Sequence, residues 1–132
     1  MPDLDDVSRL ASALPGAEER MTTGGLAWFV RNKLFAWDCR PWPSTAPEAR
    51  AIMEAETVVG VKVVDEFERE ALRQGWPDVF LGPTTTWGEP KVSFRLARID
   101  PQLLAEIVTE AWRTQAPRYL RRELDDTDSA PA

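Results

Sequence analysis

Histidine does not occur in these 132 residues. Its absence removes the commonest general base at neutral pH, the commonest metal ligand and every catalytic triad built on either. The single cysteine, Cys39, can form neither an internal disulfide nor a thiolate metal site, and such sparing use of thiol fits a reducing cytoplasm. No Gly-rich phosphate loop of standard spacing is present, because Gly24-Gly25 leads into a strand-like run and not a helix. Long apolar runs are missing too, and MPDLDDVSRL lacks the basic-then-apolar order of a signal peptide, so no membrane partner is expected. Carboxylate pairs such as Glu18-Glu19, Glu54/Glu56 and Glu66/Glu70 read as solvated faces before they read as acid/base machinery. Cys39, beside Arg40, reads as inert before it reads as reactive. The expectation is a cytoplasmic, non-enzymatic protein with no cofactor and no metal.

What is present suits one domain. A chain with 43% hydrophobic and 29% charged residues has enough apolar mass for one core and enough charge to stay soluble. The net charge of −6 is concentrated at the ends. Setting aside Asp3, Asp5, Asp6, Glu123, Asp125, Asp126 and Asp128 leaves 15 acidic residues against all 16 lysines and arginines. The body is therefore near neutral, which permits a local basic patch but gives no general attraction for polyanions.

Helical spacing of Leu4, Val7, Leu10, Ala11 and Leu14, with Asp3 as cap and Pro15-Gly16 as stop, predicts a helix over about 3–13. LAWFV and KLFAWD, joined at Arg31-Asn32, predict a hairpin, since Asn tolerates the positive φ of a tight turn. Residues 39–56 hold three prolines early and read as a long connection with one weak helical turn near Pro47. TVVGVKVV (57–64) is a buried strand; Asp65 then caps a helix whose apolar edge is Phe67, Ala71 and Leu72. VFLG, TTTW and KVSFRLA supply two more strands, bent at Gly82-Pro83 and turned at Gly88-Glu89-Pro90. Val92, Phe94 and Leu96 share one face of the last strand; Lys91, Ser93 and Arg95 share the other. Asp100-Pro101 opens the final helix, striped by Leu104, Ile107, Val108, Ala111 and Trp112. The order is α-β-β-β-α-β-β-α, an α+β two-layer domain over 1–122 with an acidic, disordered tail over 123–132.

LPGAEER (14–20), FVRNKLFAW (29–37), VVGVKVVDEFEREAL (58–72), VFLGP with WGEPKVSFRL (79–96) and IDPQLLAEIVTEAWRTQAPRYL (99–120) occur in an order that resembles the MmcQ/YjbR family. The resemblance implies a bacterial protein with a secretion-chaperone-like α-β(3)-α-β(2)-α fold, an antiparallel sheet with packed helices. It also implies a double-wing DNA-binding protein and no enzymatic activity.

On that reading the first wing carries Arg31, Asn32 and Lys33, and the second runs from Trp87 to Lys91 with Arg95 beyond it. Lysine and arginine would meet phosphates while Trp87 packs on a sugar or an unstacked base, giving weak, salt-dependent binding. The alternative is that Trp87 closes the core edge and Lys91 and Arg95 keep an open sheet face soluble. Arg113, Arg118, Arg121 and Arg122 form the local basic excess at the end of the last helix, where cations also suit the helix C-terminus. They extend the DNA footprint or serve structure. A second function class is a protein-interaction module, homodimeric or bound to another protein. Six tryptophans support it, several beside proline or glycine (Trp42, Trp76, Trp87), while Trp28, Trp37 and Trp112 are expected in the core.

Overall fold

Asp3 opens the first helix as its position predicts. In the computed structural model, which describes residues 2–41, 43, 45–81 and 90–129, helix α1 (Leu4–Ser12) starts with a reciprocal capping box. The Asp3 carboxylate accepts from the Asp6 N–H at 3.0 Å, and the Asp6 carboxylate accepts from the Asp3 N–H at 3.0 Å. Val7 and Ala11 turn inward from this helix.

Five strands follow among the described residues: β1 (Ala17–Thr22), β2 (Gly25–Val30), β3 (Lys33–Asp38), β4 (Val58–Lys62) and β5 (Lys91–Arg95). They lie in sequence order in one antiparallel sheet. The β2–β3 connection has φ of 51° at Arg31 and 67° at Asn32, the two left-handed residues that a two-residue hairpin with native twist requires. The VFLG segment, expected as a strand, contributes one bridge, Phe80 to Phe94. Around it the Leu81 N–H donates to Ser93 O and the Arg95 N–H to Val79 O, both at 2.9 Å, so residues 79–81 cover the outer edge of β5. The TTTW strand, with Trp87, and the turn at Gly88-Glu89 lie outside the described residues, as does Trp42.

Four more α-helices lie among the described residues: α2 (Pro47–Ala55), α3 (Glu66–Gly75), α4 (Pro101–Gln115) and α5 (Arg118–Ser129). Helices α1 and α4 pack together on one face of the sheet, so the α+β two-layer arrangement holds. The element order differs from the expected one in three further places. β1, AEERMT, is too polar to read as a strand, yet it pairs along β2, and Glu19 accepts the indole N–H of buried Trp28 at 2.9 Å. TVVGVKVV is thus the fourth strand. The connection before it contains a nine-residue helix, α2, whose N-cap Ala46 offers no side-chain acceptor. Finally, α5 follows α4, and in it Leu124 packs on the core and Asp125 receives Arg113 at 2.8 Å.

Trp28, Val30, Val59, Val61, Phe94, Leu104, Val108 and Trp112 form the centre of the core. Trp112 donates its indole N–H to Pro15 O at 2.9 Å, pinning α4 to the turn after α1. Trp37, also expected inside, stands on the opposite face. The register explains it: Trp28 pairs with Ala36 but Phe29 pairs with Leu34, which leaves Phe35 as a bulge. Phe35 and Ala36 therefore both enter the core, and the alternation beyond them turns Trp37 outward. Helix α3 is rotated relative to expectation as well. Leu72 and Arg69 take the buried positions, sixty degrees apart around the helix, while Phe67 is 83% exposed.

Candidate functional site

Antiparallel order decides which cations meet. β2 ends and β3 begins at Arg31–Lys33, while β4 ends at Lys62 directly opposite Lys91, the first residue of β5. All four positions lie at one end of the sheet. Arg31 and Lys33 are exposed; Lys62 and Lys91 are half-buried. The start of α5 reaches the same end, because Tyr119 and Leu120 line a hollow of about 420 Å³ together with Gly16, Glu18, Arg31 and Asn32. That closeness comes from Leu120, which is buried beneath Gly16; a Cβ on Gly16 would come within 2.8 Å of its Cδ1. Tyr119 is 57% exposed there, and Arg118, Arg121 and Arg122 are exposed on the same helix.

Arg20 went unnoticed in the sequence because β1 did. It donates to Asn32 Oδ1 at 2.7 Å and to Glu18 at 2.6 Å, with its guanidinium carbon 4.6 Å from the Phe29 ring centroid. The strained turn residue is thus held by a cation from the neighbouring strand. The two remaining arginines of the expected site are engaged elsewhere. Arg95, at the far end of β5, donates through Nε and a terminal nitrogen to both Glu56 oxygens at 2.8 and 2.6 Å. Arg113 joins α4 to α5 through Asp125 at 2.8 Å and faces Glu110 at 3.7 Å. Trp87 lies outside the described residues.

The sheet face away from α1 and α4 carries a second hollow, of about 960 Å³, with Trp37, Lys62, Arg69 and Lys91 among its lining residues. Cys39 lines it too, and burial pushes the thiol up from its ordinary value, with hydrogen bonding to Trp37 and Ser93 opposing and the Asp38 charge adding. That environment suits an inert thiol. Among the described residues no cluster of His, Cys, Asp and Glu has the makings of a metal site, and no helix is long and apolar enough to cross a membrane.

One antiparallel sheet, backed by two helices and ending in a cationic hairpin turn beside a C-terminal helix, defines a small one-sheet α+β domain. The sequence pattern of YjbR matches residues 12–114. The chain belongs to the YjbR family. It is 39% identical over 124 residues to uncharacterized protein Rv2570 of Mycobacterium tuberculosis (strain ATCC 25618 / H37Rv), covering 91% of this chain and 93% of the relative. The same figures hold for uncharacterized protein Mb2600 of Mycobacterium bovis. The fold is similar to the crystal structure of Deinococcus radiodurans protein DR2400, a DUF419 domain, with a TM-score of 0.66 at 20% identity. The match covers 95% of this chain and 89% of that one.

Proposed function

We propose that the protein binds DNA through phosphate contacts, using the β2–β3 turn and the exposed face of α5 as one surface. The observation that supports this most is the meeting of Arg31, Lys33 and the start of α5 at one end of the sheet, with Arg31 held at positive φ. A non-glycine, non-Asn residue in that conformation is uncommon, and it projects a cation from the tip of the hairpin. Tyr119 adds an exposed ring beside the turn that suits a sugar or an unstacked base. Lys62 and Lys91 extend the surface along the strand ends. Arg95 and Arg113 support it through their ion pairs and do not contact phosphate in this reading.

The acidic residues of α5 set a limit. Asp125 and its neighbours repel phosphate, and the near-neutral body keeps the interaction weak. Fluorescence anisotropy of labelled duplex and single-stranded DNA, at low and physiological salt, tests the reading. Binding should weaken with salt at a slope of about −3 in log K against log salt, as expected for three to four phosphate contacts. It should fall at least about tenfold in Arg31→Ala/Lys33→Ala/Arg118→Ala. Asp126→Asn, which leaves Leu124 and the Arg113–Asp125 pair in place, should raise affinity. No binding of the intact protein at low salt ends the proposal.

A second reading, a protein-interaction module, is favoured by Phe67 and Val64, 83% and 70% exposed at the β4–α3 junction, with Trp76 half-exposed beyond. Concentration-dependent sedimentation that Phe67→Asp abolishes would support it as a homodimer.

A further inference from the structure

Arg69 is the buried residue of α3 that the helix pattern least predicts. Its side chain is 8% exposed, and its Nε has no hydrogen-bond partner. Glu66 and Glu70 come no closer than 3.6 and 3.7 Å, beyond hydrogen-bond reach. Burying a guanidinium with a donor unsatisfied costs stability, and exposed carboxylates at that distance recover little of it. The charge instead lines the hollow of about 960 Å³ on the open face of the sheet.

A second observation there stands apart from Arg69. Lys62 and Lys91 occupy directly opposite positions on β4 and β5, and both line the same hollow. The same hollow contains Trp37. Its indole lies across Gly60, where a Cβ would come within 2.3 to 2.5 Å of three ring atoms, and Lys62 Nζ stands 6.0 Å from its centroid. Four cations, of which Arg40 is paired with Asp38 and Arg69 is buried, and the rings of Phe29 and Trp37 therefore share a concave surface. Of the carboxylates, Asp38 also lines it, and it is tied to Arg40 at 2.8 Å.

We propose that this hollow is a binding site for a small molecule bearing a flat ring and an anionic group, phosphate or carboxylate. Arg69 supplies the buried positive charge that holds the anion. Lys62 and Lys91 neutralise the remaining charge, and Trp37 stacks on the ring. The site lies on the sheet face and shares Lys62 and Lys91 with the DNA reading, but not the hairpin tip or α5.

The test is titration of the 15N-labelled full chain, following the Arg69 Nε–H and Trp37 indole N–H resonances. The probes are adenosine monophosphate, 1-naphthoate, adenosine and inorganic phosphate. At least one of the two ring-plus-anion probes should move both resonances saturably, binding about tenfold or more tighter than adenosine or phosphate alone. The tighter of the two identifies the anion. Arg69→Met, which keeps the volume and removes the buried charge, should raise the melting temperature by a few degrees and weaken binding by about tenfold or more. Lys62→Ala should weaken it severalfold, and Arg31→Ala/Lys33→Ala/Arg118→Ala should leave it unchanged. The proposal is overturned if no probe moves the Arg69 resonance up to about 10 mM. Adenosine binding as tightly as its monophosphate also overturns it, as does unchanged affinity in both Arg69→Met and Lys62→Ala.

Discussion

Arg95 and Glu56 form a forked ion pair that ties β5 to the residue closing α2, with N···O distances of 2.8 and 2.6 Å. Both side chains are mostly buried, 20% and 24% exposed, so the pair is better shielded than a surface bridge. The Arg95 hydrogen bonds hold the Glu56 carboxyl below its ordinary value, against the opposing effect of burial. A carboxyl whose folded pKa is depressed adds stability that is complete above its unfolded value, about 4.3, and is lost as pH falls through the folded one. Glu56→Gln should therefore cost about 1 to 2 kcal/mol at pH 7 and less at pH 3. Urea unfolding of both proteins at the two pH values reads the difference directly.

Gly60 is the place on β4 where the sheet has no room for a side chain, because the Trp37 indole fills it. Gly60→Ala should cost about 1 to 3 kcal/mol by forcing the ring away. The same substitution in a Trp37→Ala background should cost little, and a double-mutant cycle by chemical denaturation separates the two. Equal costs in both backgrounds would show that the indole is not the obstacle.

Arg31 predicts opposite responses in stability and binding. Glycine accepts φ of 51° without strain, so Arg31→Gly should stabilise the hairpin, by about 0.5 to 1 kcal/mol, while lowering DNA affinity. Asn32→Ala should destabilise instead, because it loses the Arg20 hydrogen bond and keeps the strained backbone. Thermal melts beside anisotropy titrations distinguish these effects.

Cys39 should react slowly with a thiol reagent at pH 7, since burial raises its pKa and lowers the thiolate fraction. The rate should keep climbing above pH 9, where an unperturbed thiol has begun to level off. A plateau below pH 8.5 would contradict the environment described for this side chain.

The elements legible in the sequence are those whose ends carry their own chemistry. Asp3, Asp65 and Asp100 each accept from backbone N–H groups of the helix they precede, and Arg31-Asn32 turns as Asn at such a position suggests. The membership of Val92, Phe94, Leu104 and Val108 in the core followed from periods of two and 3.6. Elements without such signals were not legible. Helix α2 has no capping side chain, β1 has almost no apolar residues, and α5 owes its place to Leu120, Leu124 and the Arg113–Asp125 pair rather than to its composition.

The sequence by itself determined the capped helices, the hairpin turn and which residues were apolar enough to build a core, because those choices are local. Tertiary structure decided where the chemistry sits. The bulge at Phe35 turned Trp37 away from the core, the packing of α3 placed Arg69 rather than Phe67 inside, and strand order set Lys62 against Lys91. Register, helix rotation and strand order depend on partners distant in the chain, and local periodicity carries no information about them.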